Sequence, residues 1–146
     1  MEAADKRACR SVGYRNAGTF EFLLGPDGSF YFIELNARLQ VEHPVTEMCT
    51  GIDLVREQLR VAFGEELSVQ GRAPRRGHAI EIRLNAEDPE HDFLPAPGRV
   101  ARFEPAQGPG VRIDTFLESG SMIPPFYDSL LAKLIVWDVD RPSAIA

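Results

Sequence analysis

The feature that most constrains the fold is a strand–turn–strand pattern, TFEFLLGPDGSFYFIELN, which begins at Thr19. Two runs rich in Phe, Ile, Leu and Tyr flank a Pro-Asp-Gly-Ser turn, a combination typical of an antiparallel β-hairpin. A turn centred between Asp27 and Gly28 places Glu21 directly opposite Glu34 on the same face of the two strands. The hairpin therefore predicts a close pair of carboxylates.

Two carboxylates at this separation repel each other unless a cation lies between them. Asn36 lies two residues beyond Glu34 on the same face and adds a neutral oxygen. Such hard oxygen ligands suit Mg²⁺ or Mn²⁺ better than zinc. The alternative is that both glutamates lie on a solvated face, each near a Lys or Arg. The opposite face is expected to be core and to consist of Phe20, Phe22, Ile33 and Leu35.

The segment after the second strand places polar side chains at alternate positions. Arg38 offers a fork of N–H donors for a planar oxyanion, Gln40 adds a donor, and Glu42 can accept a proton. Together they would hold a small carboxylate-like substrate such as bicarbonate beside a bound phosphate. The alternatives are an ion pair of Arg38 with Glu42 or Glu47 and a backbone hydrogen bond for Gln40. His43 fits a helix start or a packing position better than a base.

Three helices are predicted around this hairpin. Residues 2–12 form a helical pattern that ends at Gly13, and Pro44 favours a helix start just after the polar segment. Thr50 and Asp53 resemble a capping box at the start of a third helix.

The sequence changes character at GRAPRRG, residues 71–77, which has no apolar period and predicts a linker. The runs HAIEIRL, GRVARFE, GVRIDTFL and AKLIVW follow, separated by turns that contain Pro or Gly. They predict a mainly antiparallel sheet.

Charge and apolar content limit the partners. The net charge of −6 argues against a nucleic-acid surface or a basic membrane patch. No run of about 18 apolar residues and no signal peptide is present, which favours a cytoplasmic protein. Cys9 and Cys49 lie far apart, so neither a thiolate metal site nor a disulfide is expected. The chain starts within a helical pattern and stops without a cap, and we expect an internal piece of a longer protein.

Six sequence strings resemble biotin carboxylases, which are ATP-grasp enzymes. AGTFEF, FIELNARLQVEHPVTE and TGIDLVREQLRVA resemble the end of the family's ATP-grasp domain. RGHAIEIRLNAEDP, FLPAPGRV and GVRIDTFLESGSMIPPFYDSLLAKLIVW resemble the start of its C-terminal domain. The resemblance implies an α+β chain: the C-terminal part of an ATP-grasp domain (antiparallel hairpin plus helices) at residues 1–70, a linker at 71–77, and a truncated, mainly antiparallel C-terminal domain at 78–146.

The resemblance also implies a nucleotide and metal site. The positions that match Glu21, Glu34 and Asn36 bind the Mg²⁺ or Mn²⁺ ions that accompany ATP in this family. The two glutamates therefore belong to the ATP site as well, and Leu23 is expected near the adenine.

A bicarbonate and biotin site is implied in the same way. The positions that match Arg38, Gln40, Val41 and Glu42 hold bicarbonate, with Glu42 as general base and Arg38 as a catalytic arginine. The match to Arg112 contacts bicarbonate and biotin and stabilises the enolate of biotin. That role rests on the resemblance, because an arginine on a strand is ordinarily solvated or paired.

The implied activity is the carboxylation of biotin on a biotin carboxyl carrier protein, driven by ATP and bicarbonate. Carboxyltransferase subunits and a homodimer are expected partners. Four residues lie in a stretch that resembles the dimer-facing region: Tyr127, Asp128, Ser129 and Lys133.

The string Asn85-Ala86-Glu87-Asp88-Pro89 favours acetyl-CoA carboxylase over the propionyl-CoA, methylcrotonyl-CoA and pyruvate enzymes. Because the glycine-rich lid and the upstream lysines of the family are missing from the sequence, the chain alone is expected to be inactive. The alternatives are another ATP-grasp ligase, such as the carbamoyl-phosphate synthetase large chain, and a non-catalytic truncated relic.

Overall fold

The computed structural model describes residues 1–146 as two units, Met1–Pro74 and Arg75–Ala146. Helices and antiparallel strands occur together, which is the predicted α+β class. The first unit contains α1 (Glu2–Val12), β1 (Thr19–Leu24), β2 (Phe30–Asn36), α2 (His43–Thr50) and α3 (Leu54–Ala62).

The helices of the first unit begin and end largely where the sequence indicates. Gly13 has a left-handed backbone (φ 63°) and ends α1, and Pro44 lies in the first turn of α2. The predicted cap of α3 is wrong in one respect. Asp53 is its N-cap and accepts from the Arg56 backbone N–H at 2.8 Å. Thr50 instead donates its hydroxyl to the Thr46 carbonyl within α2.

The hairpin pairs Glu21 with Glu34, as predicted, but its register shifts by one residue beyond that pair. Phe22 pairs with Phe32, so Ile33 is the extra residue of a β-bulge. The assignment of Ile33 to the core face is therefore wrong, and its side chain is half exposed. Phe20, Phe22 and Leu35 are half-buried rather than core, and Phe rings contact one another in the pairs Phe20–Phe32, Phe22–Phe30 and Phe22–Phe32.

The second unit consists mainly of antiparallel strands. Its elements are β3 (His78–Asn85), β4 (Glu87–Asp88), a 3₁₀ turn (Pro89–His91), β5 (Leu94–Pro95), β6 (Gly98–Arg99), β7 (Val111–Thr115), β8 (Met122–Ile123), β9 (Leu130–Asp138) and α4 (Arg141–Ile145). Three of the strands form one sheet in the order β3-β9-β7. Two pairs of very short strands, β4 with β5 and β6 with β8, lie between β3 and β9 in the sequence.

The strand predicted for GRVARFE is too long, since β6 covers only Gly98–Arg99. Val100 adds backbone hydrogen bonds to Ser121 and from Gly120, and the rest of the run is not part of a strand. The central strand β9 carries the core, because Ile135 is fully buried and Ala132 is 2% exposed. None of the helices in either unit combines the length and apolar character needed to cross a bilayer.

Candidate functional site

The paired carboxylates of the hairpin share one hydrogen-bond donor. The Asn36 Nδ2 group lies 2.7 Å from Glu21 Oε1 and 3.3 Å from Glu34 Oε1. Both oxygens therefore lie within 3.3 Å of one nitrogen atom. The predicted trio is thus brought together, with Glu21 and Asn36 half-buried and Glu34 exposed at the rim.

Gln40 joins this cluster from the segment that follows β2. Its Nε2 group donates to Glu21 Oε1 at 3.1 Å, so this side chain binds a carboxylate rather than the backbone. Arg38 lies beside it, with one guanidinium nitrogen 3.4 Å from Asn36 Oδ1 and another 3.3 Å from the Leu39 carbonyl oxygen. The neutral amides of Asn36 and Gln40 thus contact Glu21 directly, while Arg38 contacts the amide oxygen of Asn36.

These residues fit a hard divalent cation. Glu21 and Glu34 accept hydrogen bonds from amides rather than from a Lys or Arg, although Glu34 is exposed, as the solvated-face alternative expects. No cluster of three or more His, Cys, Asp and Glu residues exists. Two carboxylates are a small charge for a metal site, and they suit Mg²⁺, which keeps waters and takes further oxygens from a phosphate. Rotation of the Asn36 amide would turn its Oδ1 toward the same point.

A cleft of about 580 Å³ adjoins this cluster within the first unit. It contains three of the residues predicted for bicarbonate, Arg38, Gln40 and Glu42, together with His43. Val41 lies between them in the chain and is half-buried. The remaining lining comes from Asn16, Ala17, Gly18, Thr19, Leu39, Thr46 and Leu54.

Leu23 lies apart from these polar residues. It pairs with Tyr31 on the far side of the β-bulge, and its side chain is 64% exposed. The role of Leu23 near the adenine stays a prediction.

Arg112 belongs to the second unit, on β7. Its Nε and one terminal nitrogen donate to the two oxygens of Asp114 at 2.7 and 2.8 Å. Lys133 on β9 lies 3.4 Å from the same carboxylate and is only 12% exposed. The hydrogen bond from Arg112, followed by the positive charges of Arg112 and Lys133, holds the pKa of Asp114 below its usual value.

Asp114 is absent from the residues singled out in the sequence, although Arg112-Ile113-Asp114 carries a usable signal. Residues two apart on a strand share a face, so an Arg-x-Asp string on a strand favours a bidentate pair. Lys133 was predicted only as part of the dimer-facing stretch, and within the chain it contacts this carboxylate.

Comparison with known proteins gives matches over both units. Residues 1–70 match the family model of the carbamoyl-phosphate synthase L chain, ATP binding domain, and residues 81–146 match that of the biotin carboxylase C-terminal domain. The biotin carboxylase of Nostoc sp. is 57% identical over 146 residues, which are 99% of this chain and 33% of the relative. The biotin carboxylase of Pseudomonas aeruginosa is 55% identical over 141 residues, which are 96% of this chain and 31% of the relative.

A solved structure shows the same fold. The biotin carboxylase domain of 2-oxoglutarate carboxylase from Hydrogenobacter thermophilus, in complex with MgADP, ADP and bicarbonate, is 46% identical. The match has a TM-score of 0.90 and covers 95% of this chain and 31% of that one. The hairpin, its helices and the match over residues 1–70 define a part of an ATP-binding domain of the kind found in ATP-dependent ligases. With the C-terminal match added, the chain belongs to the biotin carboxylase family. It spans about one third of the length of these relatives.

Proposed function

We propose that this chain supplies the metal and bicarbonate side of the active site of a biotin carboxylase, which carboxylates biotin on a carrier protein at the expense of ATP. The observation that carries the proposal is the pair Glu21 and Glu34, held face to face beside Asn36 without a matching cation from the protein. The complete carboxylase is the full-length enzyme that contains this sequence.

The cation site consists of Glu21, Glu34 and Asn36, and the ion is Mg²⁺, for which Mn²⁺ can substitute. When bound, the ion supplies positive charge against the phosphate oxygens of ATP. Glu21 and Glu34, on opposite strands, would hold the ion, and the Gln40 amide keeps Glu21 in place. Leu23, on the same strand as Glu21, packs against the adenine.

Bicarbonate binds in the cleft beside this cluster. The guanidinium of Arg38 clamps its oxygens, while Gln40 and Val41 complete the pocket. Glu42 accepts the bicarbonate proton as an oxygen of bicarbonate attacks the γ-phosphorus of ATP, forming carboxyphosphate and releasing ADP. The carboxyphosphate then breaks down to CO₂ and phosphate.

The second half of the reaction concerns biotin. The released phosphate takes the proton from the ureido nitrogen, and Arg112 stabilises the resulting enolate oxygen by its positive charge. The nitrogen then forms its bond to CO₂. The bidentate contact to Asp114 keeps the guanidinium in one orientation for this role.

The proposed biological role is the first half-reaction of acetyl-CoA carboxylase, in cytoplasmic fatty acid synthesis. The enzyme would act as a homodimer together with carboxyltransferase subunits. The subtype rests on the Asn85–Pro89 string. Within it, Glu87 accepts hydrogen bonds from Asn85 and Ser129, at 3.1 and 2.6 Å. Complementation of a bacterial strain that lacks biotin carboxylase tests the subtype; growth without added fatty acids is expected, and failure to grow despite active enzyme would favour a propionyl-CoA, methylcrotonyl-CoA or pyruvate enzyme.

The catalytic proposal is tested by bicarbonate- and biotin-dependent ATP hydrolysis. The complete carboxylase should turn over, and this 146-residue chain alone should not. Arg38→Ala in the complete carboxylase should raise the KM for bicarbonate by about 100-fold, because a bidentate charged contact is lost. Arg7→Ala on α1, an exposed arginine, is the matched control. An unchanged KM in Arg38→Ala would contradict the assignment, and an inactive complete carboxylase would favour a relic.

A further inference from the structure

The cleft contains a histidine that the proposed function does not use. His43 is half-buried, lines the cleft with Arg38 and Glu42, and is the first residue of α2. Its ring Nδ1 lies 2.7 Å from the carbonyl oxygen of Gln40. The backbone N–H of His43 reaches the same oxygen at 3.3 Å.

The partner of this ring nitrogen fixes the position of its proton. A carbonyl oxygen only accepts hydrogen bonds, so Nδ1 of His43 must carry the hydrogen. In the neutral ring, the lone pair is therefore on Nε2. Nδ1 is thereby excluded as a proton acceptor in the reaction.

The contact is of the opposite kind to a helix cap. A capping side chain accepts a hydrogen bond from an N–H group of the first helical turn. The His43 ring instead donates, and it donates back into the preceding segment. Helix initiation is already favoured by Pro44, whose backbone is pre-organised for the first turn. The His43 ring therefore restrains the segment that precedes α2 and does not cap the helix.

Gln40 is consequently held at two points. Its carbonyl is bound by His43, and its side-chain amide is bound to Glu21 of the hairpin. Arg38 and Glu42 flank it by two residues on either side. We propose that His43 is a positioning residue, whose Nδ1–H group holds the segment from Arg38 to Glu42 in the conformation that binds bicarbonate. This inference rests on the proposed function of that cleft.

Two amide substitutions separate the two ring nitrogens in the complete carboxylase. In His43→Asn the side-chain nitrogen takes the place of Nδ1, whereas in His43→Gln it takes the place of Nε2. His43→Gln should raise the KM for bicarbonate about tenfold, a change worth about 1.4 kcal/mol, with kcat and the KM for ATP altered by less than about threefold. His43→Asn should stay within about threefold of the unsubstituted enzyme in all three constants.

The inference is overturned if His43→Asn is as impaired as His43→Gln, if both resemble the unsubstituted enzyme, or if their order is reversed. His91 provides the matched control, because its Nδ1 contacts Asp88 at 2.7 Å in an exposed turn of the other unit. The Asn and Gln variants of His91 should leave the bicarbonate KM unchanged. If Arg38→Ala is also without effect on this KM, the proposed function fails; if only the His43 variants are without effect, the positioning role fails.

A spectroscopic measurement keeps the inference testable if the variants do not fold. In protein labelled with ¹⁵N-histidine, the nitrogen shifts at alkaline pH should identify His43 as the Nδ1–H tautomer. An Nε2–H tautomer, which is the commoner form of free histidine, could not donate to Gln40 and would overturn it.

Discussion

The two units use carboxylates in opposite ways. On the hairpin, Glu21 and Glu34 face each other and are contacted by the neutral amide of Asn36, with a second amide from Gln40 on Glu21. On the sheet of the second unit, Asp114 is contacted by two cations, Arg112 and Lys133. A carboxylate contacted by amides keeps its negative charge available to a ligand, whereas one contacted by two cations does not.

This difference separates the proposed cation site from a carboxylate that supports a neighbouring side chain. Neutral donors orient the hairpin carboxylates without cancelling their charge, so a cation gains the full attraction of both. The charge of Asp114 is already offset, and its effect is to fix the orientation of the Arg112 guanidinium. The same chemical change, from carboxylate to carboxamide, should therefore have different consequences in the two units.

The largest expected effect is on turnover. Glu34→Gln in the complete carboxylase should lower kcat by at least about 100-fold at ordinary magnesium concentrations, because one of two charged ligands is lost. Steady-state bicarbonate-dependent ATP hydrolysis measures it. Glu66→Gln, an exposed acid in the same unit, is the control. Full activity of Glu34→Gln at saturating magnesium would sink the metal assignment.

The next effect is on the stability of the second unit. Asp114→Asn should lower the free energy of unfolding by about 1–3 kcal/mol, because Arg112 and the largely buried Lys133 lose their shared counter-charge. The measurement uses this 146-residue chain, in which Trp137 on β9 is the single tryptophan. Its fluorescence during urea denaturation therefore reports on this unit. Glu118→Gln, an exposed acid of the same unit, should change little. Equal urea midpoints for the unsubstituted protein, Asp114→Asn and Glu118→Gln would show that Asp114 does not stabilise this unit.

The stability difference between the unsubstituted protein and Asp114→Asn should disappear at acid pH. Because the pKa of Asp114 is lowered in the folded protein, chiefly by Arg112, the stabilisation is complete above the unfolded pKa of about 4. It is lost as the pH falls through the lower, folded value. The gap between the unsubstituted protein and Asp114→Asn should therefore close only below about pH 4, in urea midpoints measured across the acid range. A gap that closes near neutral pH would point to another group.

The hairpin site is predictable from the sequence because the relevant rules are local. A tight turn and a period of two are enough to place Glu21 against Glu34 and Asn36 beside them. The bulge at Ile33 is not predictable in this way, because neither the turn nor the period of two indicates an extra residue in one strand. Likewise, the hydrogen bond from Gln40 to Glu21 crosses from loop to strand, and no periodicity encodes it.

The carboxylate support on β7 is harder to foresee. Arg112 is indicated only by the family resemblance, and the contact between Asp114 and Lys133 depends on which strands pair in the folded sheet. The register that sets Asp114 opposite Lys133 joins residues of two strands, β7 and β9, that are separated in the sequence by β8 and its loops. Short-range rules therefore locate the carboxylates that are proposed to bind the cation, while the carboxylate that is paired within the chain requires the tertiary structure.

The smallest expected effect is on the stability of the hairpin, and it tests directly whether the hairpin carboxylates differ from Asp114. In the absence of divalent ions, Glu34→Gln should stabilise the hairpin by about 0.5 kcal/mol, because it removes the repulsion from Glu21 at a partly exposed site. Hydrogen exchange of the β1 and β2 amides measures this locally, with Glu66→Gln as the unchanged control. Added Mg²⁺ should then raise the protection of the unsubstituted hairpin and leave Glu34→Gln unaffected, since only the former presents two charges to the ion. A hairpin that is destabilised by the substitution, or protected equally in both proteins, would mean that the two carboxylates are held for structure, as Asp114 is.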